Sequence, residues 1–116
     1  MAEDKRFYSR YRVNLESRAS LPSGTNFNLE VLDISVEGAK LRADRDLSIQ
    51  KGDIVFLLIK APKKLKVKGE VRWTRKEGRG VEFGVKFVEV DMAIRETLAS
   101  IISEYALSSL SDEYFK

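Results

Sequence analysis

Two segments with strictly alternating residues constrain the fold of this chain most strongly. Residues 65–73 place Leu, Val, Gly, Val and Trp at every second position among Lys, Glu and Arg, and residues 81–87 alternate in the same way. A period of two is typical of β-strands that bury one face. The intervening residues 76–80 contain two glycines, so the two segments are predicted to form a β-hairpin around this loop.

Shorter segments extend the β pattern towards the N-terminus. Strands are predicted at residues 13–19, 27–34, 39–43 and 54–59. The apolar phase shifts between Val31 and Ile34, which predicts a bulge or bend. Residues 54–59 are continuously apolar, as expected for a strand buried on both faces or at a barrel corner. Short strands separated by turn signals predict a mainly β domain, either a barrel or a sandwich.

The C-terminal segment follows a helical period instead. Ile94, Leu98, Ile101 and Tyr105 recur at the spacing of an amphipathic helix, and Asp91 is a predicted N-cap. Residues 108–116 are expected to fray. The apolar stripe is expected to pack on the open end of a barrel, although a partner-binding helix is an alternative.

Composition excludes several kinds of chemistry. The 116 residues include no Cys and no His, which excludes disulfides, Cys/His metal sites, cysteine nucleophiles and histidine-dependent triads. The residues that remain suit binding better than catalysis. The sequence has neither an apolar run of membrane-spanning length nor a signal-peptide core, so a single soluble, cytoplasmic domain is expected.

Charge is distributed unevenly along the chain. Residues 60–79 contain nine basic and two acidic residues, whereas residues 89–116 contain two basic and six acidic ones. A basic surface attracts anions such as phosphates or nucleic acid. The alternating lysines could equally occupy the solvent side of strands. We expect this run to steer a ligand or contact a partner and to lie outside the binding site.

Two short motifs carry side chains that suit a ligand. Arg6 and Arg10 are spaced as RxxxR, and Asp33, Ser35 and Gly38 form DxSxxG at a predicted strand end. Each motif alone is common, because Asp33 and Ser35 can simply bond their own backbone in a turn. In this order, within a small β domain, the two motifs resemble the PilZ domain family.

The resemblance continues through residues 69–73 (GEVRW) and 84–87 (GVKF), and it extends from Arg6 to about Tyr105. PilZ domains are bacterial receptors for cyclic di-GMP, built as a six-stranded antiparallel β-barrel with a C-terminal helix. The resemblance therefore implies that fold for residues 12–110, with residues 1–11 as a flexible N-terminal arm. It also implies a receptor that needs no cofactor and is not an enzyme.

The motif residues have chemistry that matches this ligand. A guanidinium pairs with phosphate oxygens or with guanine O6 and N7, and it stacks on a base. The Asp33 carboxylate accepts from guanine N1–H and N2–H, a donor pair that adenine lacks. The family resemblance implies that Asp33, Ser35 and Gly38 line the barrel while Arg6 and Arg10 close over the ligand.

Four details of this predicted site depend on single residues. Ser35 offers a hydroxyl to the base edge or to its own loop. Gly38 permits a positive φ or a close approach of the ligand. Lys5 stands where the family has an arginine when two stacked ligands bind, which favours two ligands. Trp73 either borders the ligand or fills the core in phase with Val71.

Binding is expected to act as a switch. The arm is expected to be mobile without ligand and ordered over it, which presents a new surface to an unidentified downstream protein. One alternative is a β-barrel that binds nucleic acid through the basic run and Trp73, Phe83 and Phe87. It is disfavoured because these aromatics share the core phase. Another alternative is a PilZ-like adaptor that binds proteins and no nucleotide.

Overall fold

Six strands and one helix follow one another along the chain. The computed structural model describes residues 11–60 and 63–114, with side chains described for residues 17–60 and 63–104. The elements are β1 (Tyr11–Ser20), β2 (Asn26–Ile34), β3 (Gly38–Ala43), β4 (Ile54–Ile59), β5 (Leu65–Glu77), β6 (Gly80–Val88) and α1 (Met92–Tyr114). Of the arm expected at residues 1–11, only Tyr11 lies within the described residues, where it begins β1.

The strands close into an antiparallel barrel in the order β1-β2-β3-β6-β5-β4. Closure removes the unpaired strand edges that an open sheet would expose. Of the two architectures left open by the strand pattern, the barrel is therefore the one adopted. The predicted bulge in β2 is confirmed by a register shift between Val31 and Asp33 in the pairing with β3.

The barrel interior holds one apolar core. Inward-facing positions alternate with outward ones along each strand, so the alternating segments supply the core directly. The largest side chains with almost no exposure are Phe83, Ile34, Leu41, Ile59, Leu98 and Ile101. The last two belong to α1, and Ile94 also packs against this core, so these three residues of the helix stripe contact the barrel; Tyr105 lies outside the described side chains.

Two strand predictions needed correction. The β5–β6 hairpin pairs Glu77 with Gly80, so the loop is only Gly78 and Arg79 rather than residues 76–80. Gly78 has a φ of 58°, which glycine adopts without steric cost. In β4 the apolar run is buried on one face only, because Phe56 remains 43% exposed on the outer face.

The helix begins as predicted and continues further than predicted. The Asp91 carboxylate accepts a hydrogen bond from the Ile94 amide at 2.8 Å, which confirms the N-cap. The helix reaches Tyr114 instead of fraying from Ser108, since residues 92–116 contain neither Gly nor Pro to stop it. Within the described residues, no helix is long and apolar enough to span a membrane.

A pair of phenylalanine variants tests which side of the barrel is the core. Phe83 is fully buried and Phe56 is 43% exposed. We expect Phe83→Ala to lower the free energy of unfolding by about 3–5 kcal/mol, because it leaves a cavity. Phe56→Ala should cost about 1 kcal/mol or less. Urea denaturation measures both values, and equal losses would contradict this placement.

Candidate functional site

The DxSxxG segment forms a tight turn between β2 and β3, and Ser35 organises it. The Ser35 hydroxyl oxygen accepts hydrogen bonds from the amides of Glu37 (3.2 Å) and Gly38 (3.3 Å). The Ser35 amide donates to the Gly38 carbonyl at 2.9 Å. Ser35 is only 3% exposed, so in this structure its hydroxyl holds the loop. The loop is tied to β6 because the Phe87 amide donates to the Glu37 carbonyl at 2.7 Å.

Of the two roles expected of Gly38, the positive φ is not adopted, and the residue has a structural role between two strands. The φ of Gly38 is not positive, so its backbone is not in the left-handed conformation. A Cβ at Gly38 would instead overlap the carbonyl oxygen of Val85 on β6. The glycine therefore allows two backbones to approach closely, which brings the motif loop against β6.

The outer face of the barrel carries a row of paired residues that begins at Asp33. The cross-strand partners are Asp33 with Lys40, Lys40 with Gly84, and Gly84 with Trp73. The row therefore crosses β2, β3, β6 and β5. With strands about 4.8 Å apart, Asp33 and Trp73 lie roughly 14 Å from each other along the sheet. Lys40 and Gly84 lie between them, and only Lys40 of these two carries a side chain.

The adjacent row faces the opposite way. Its members Ile34, Ala39, Val85 and Val71 are paired in the same order and are all buried. Because successive residues of a strand alternate between faces, Asp33, Lys40 and Gly84 face outward. The inner row thus supports the floor of the candidate site with closely packed aliphatic side chains.

Trp73 lies on the barrel surface and not in the core. A register shift between Val71 and Trp73 inserts a bulge into β5, and this reverses the phase of the strand from Arg72 onward. Trp73 is 37% exposed. Its indole lies across the backbone of Gly84, because a Cβ built on Gly84 would collide with the indole nitrogen. Trp73 therefore does not fill the core, which was one of its two predicted positions.

The other two aromatics of the nucleic-acid alternative do face the core. Phe83 and Phe87 are 0% and 6% exposed, so neither can stack on a base. The argument from phase was right for these two residues. It was wrong for Trp73, because the alternation of residues 65–73 is unbroken and gives no sign of the bulge that follows Val71.

A shallow cavity of about 270 Å³ joins the motif loop to Trp73. It is lined by Glu37, Gly38, Arg72, Trp73, Gly84, Val85 and Lys86. Arg72 belongs to the basic run that was expected to lie outside the site, and Lys86 was assigned no role. Cross-strand neighbours cannot be identified from one strand's pattern, so the sequence carried no signal for either cation.

Further charges surround the outer row. Lys40 lies 3.8 Å from the Glu82 carboxylate, and Arg75 donates to the same carboxylate at 2.8 Å. Glu82 is 7% exposed, so two cations balance a nearly buried anion. Among the described side chains, no three acidic residues converge to hold a metal ion. Lys5, Arg6 and Arg10 lie outside the described residues.

The sequence of the chain matches one family over most of its length. The model of the PilZ domain matches residues 4–104. The chain belongs to the PilZ domain family. No curated protein is significantly similar to it in sequence.

Solved structures share the fold of this PilZ domain at low sequence identity. The PilZ domain of YcgR from Escherichia coli, solved with c-di-GMP, superposes with a TM-score of 0.81 at 11% identity, covering 97% of this chain and 99% of that one. The Bacillus subtilis inhibitor of motility (MotI/DgrA) superposes at 0.77 with 17% identity, covering 91% and 53%. The K. pneumonia MrkH–c-di-GMP complex superposes at 0.77 with 13% identity, covering 98% and 56%. This chain spans about half the length of the latter two proteins.

The contact between Trp73 and Gly84 yields a direct test, because Trp73 is the only tryptophan. We expect Gly84→Ala to displace the indole and shift its fluorescence emission to longer wavelength. Gly69→Ala, on the strand that carries Trp73, is the control, since its Cβ would meet the Val85 side chain instead. If Gly84→Ala left the emission unchanged, the indole could not lie against Gly84.

Proposed function

We propose that this PilZ domain is a receptor for cyclic di-GMP. The observation that carries the proposal is the outer row that places Asp33 at one end and Trp73 at the other, with Lys40 and Gly84 between them. A carboxylate at one end suits a guanine edge, and an exposed indole at the other suits stacking. Membership of the PilZ family supports the proposal. So do the structures of YcgR and MrkH that were solved with this nucleotide.

Asp33 is the proposed base-selective group. It is half-buried at the end of β2, beside the loop that Ser35 and Gly38 hold in place. Its carboxylate accepts from N1–H and N2–H of guanine together, and adenine does not present this donor pair. Ser35 supports the ligand indirectly through the loop, and Gly38 allows the loop to lie close to β6.

The cations of the site fall into two groups. Lys40, Lys86 and Arg72 are placed on the barrel around the floor, where their charge favours the two phosphates. Arg6 and Arg10 are the proposed clamp. Arg10 directly precedes Tyr11, whose register partner is Ile34, so the chain enters β1 beside Asp33. Consecutive Cα atoms are about 3.8 Å apart, which leaves Arg10 within reach of the site.

The arm is proposed to act as the switch. Residues 1–10 order over the bound nucleotide and present a new surface to a downstream protein, at the entropic cost of ordering the segment. Lys5 adds a cation that favours two stacked ligands over one. The function is signalling without catalysis, and the cytoplasmic location stays a prediction of the sequence.

Titration calorimetry with three nucleotides tests the receptor and its selectivity. Cyclic di-GMP should bind, whereas cyclic di-AMP and GTP should bind far more weakly or not at all. The stoichiometry distinguishes one ligand from two. If the folded protein does not bind cyclic di-GMP, the proposed function is refuted.

Removal of the Asp33 carboxylate should weaken cyclic di-GMP without unfolding the barrel. We expect Asp33→Ala to lower the affinity by about tenfold or more, because a charged acceptor for two guanine donors is lost. Asp44→Ala is the matched control, since Asp44 is an exposed aspartate beyond the end of β3. Equal affinities for Asp33→Ala and the wild type would remove Asp33 from the site.

Loss of one arm guanidinium tests the clamp. We expect Arg10→Ala to reduce the binding free energy by about 1.5–3 kcal/mol through loss of a charge-assisted contact. Arg45→Ala changes an equally charged, exposed residue and should leave binding unaffected.

Saturating nucleotide should also slow amide hydrogen exchange in residues 1–10 of the wild type. Exchange that stays the same with and without nucleotide would contradict the ordering of the arm.

A further inference from the structure

A second concave surface lies on the outer face of β4. This surface, the β4 groove, is formed by Arg18, Phe56, Leu58, Lys66, Lys68 and Ile94, and it encloses about 610 Å³. Leu58 and Ile94 are half-buried, and Phe56 is 43% exposed. The nucleotide site proposed above uses none of these side chains.

Strand register gives the groove an ordered pattern of apolar and charged residues. One cross-strand row is Arg18–Leu58–Lys66, and the next is Ser20–Phe56–Lys68. Each row places an apolar side chain of β4 between polar or cationic side chains of β1 and β5. Neighbouring strands lie about 4.8 Å apart, so Arg18 and Lys66 stand roughly 10 Å from each other across Leu58.

The groove and the nucleotide site occupy different sides of the barrel. The groove crosses β1, β4 and β5, whereas the site crosses β2, β3, β6 and the far end of β5. In the closed order β1-β2-β3-β6-β5-β4, the central strand of the groove, β4, lies three strands from β3 in either direction. A molecule in the groove would therefore leave the motif loop at the start of β3 uncovered.

One carboxylate of the chain already shows what the rim of the groove recognises. The Glu89 carboxylate lies 2.5 Å from the Lys68 ammonium, which also sits 5.6 Å from the centre of the Phe56 ring. Glu89 has a φ of 53°, a left-handed conformation that costs a non-glycine residue energy. Its side chain is 71% exposed, so another carboxylate can replace it at Lys68 with little desolvation.

The pattern favours an acidic protein segment over nucleic acid. An apolar floor of Phe56, Leu58 and Ile94 suits inserted aliphatic or aromatic side chains. Cations on both sides suit carboxylates that flank such a side chain. Nucleic acid needs open aromatic faces for stacking, and the Lys68 ammonium lies over the ring of Phe56, the one aromatic residue among the described side chains of the groove.

We propose that the β4 groove binds a segment of another protein in which an apolar side chain is flanked by Asp or Glu. The apolar side chain contacts Phe56 and Leu58, and one carboxylate replaces Glu89 at Lys68. A second carboxylate pairs with Arg18 or Lys66. This interaction does not depend on nucleotide binding.

Selection from a phage-displayed library of random dodecapeptides tests the groove in buffer without nucleotide. We expect enriched peptides to combine a large apolar residue with neighbouring Asp or Glu. Fluorescence anisotropy then measures the affinity of the best peptide for each variant. Lys66→Glu and Lys68→Glu should each weaken it about tenfold or more, while Lys51→Glu, the same charge change on an exposed loop, should have little effect.

A second pair of variants tests the replacement of Glu89. Glu89→Gln should tighten peptide binding, because the intramolecular competitor for Lys68 is lost. Glu70→Gln removes the same charge from a β5 residue that lies near Arg72 and should have a smaller effect. Thermal unfolding of every variant shows whether a change in affinity arises from loss of the fold.

Four outcomes would overturn the proposal. The first is enrichment of peptides without acidic residues. The second is a peptide affinity that Lys66→Glu and Lys68→Glu leave unchanged. The third is competition between single-stranded DNA of mixed sequence and the peptide, with DNA binding abolished in the same variants. The fourth is concentration-dependent self-association of the wild type, abolished by those variants, which would make a second copy the occupant.

Discussion

The pairing of β3 with β6 is the constraint on which the rest of the barrel depends. These strands are far apart in sequence, and their contact joins the first half of the chain to the β5–β6 hairpin. A glycine stands at each end of the pairing. A Cβ at Gly38 would overlap the Val85 carbonyl, and one at Gly80 would overlap the Ala43 carbonyl. Closure therefore requires bare backbone at both positions, whatever ligand the protein binds.

This pairing also builds the candidate site. It sets Lys40 opposite Gly84, and so connects Asp33 on β2 to Trp73 on β5 through a single outer row. The same contact holds the motif loop, because the Phe87 amide donates to Glu37. A serine hydroxyl and a glycine that a motif search would assign to the ligand are needed first for the architecture. Asp33 is the half-buried carboxylate at the start of the motif and the group to which base recognition is assigned in the proposed function.

The barrel offers two surfaces with different chemistry. The outer row suits a nucleotide, since it combines a carboxylate, an indole and surrounding cations. The β4 groove has an apolar floor between cations, which suits a polypeptide. Their separation across the barrel allows a small domain to engage a nucleotide and a protein at the same time, without competition for the same side chains.

The sequence by itself determined the strands, the helix with its Asp91 cap, the β2 bulge and the two motifs, because these depend on local periodicity and spacing. Tertiary structure decided which way Trp73 points, since the β5 bulge becomes visible only when Val71 and Trp73 are aligned with β6. It also decided that Arg72 and Lys86 line the same cavity as Gly38 and that Phe56 faces solvent. These placements follow from pairings between distant strands, whose register is set by closure of the barrel and not by any single segment.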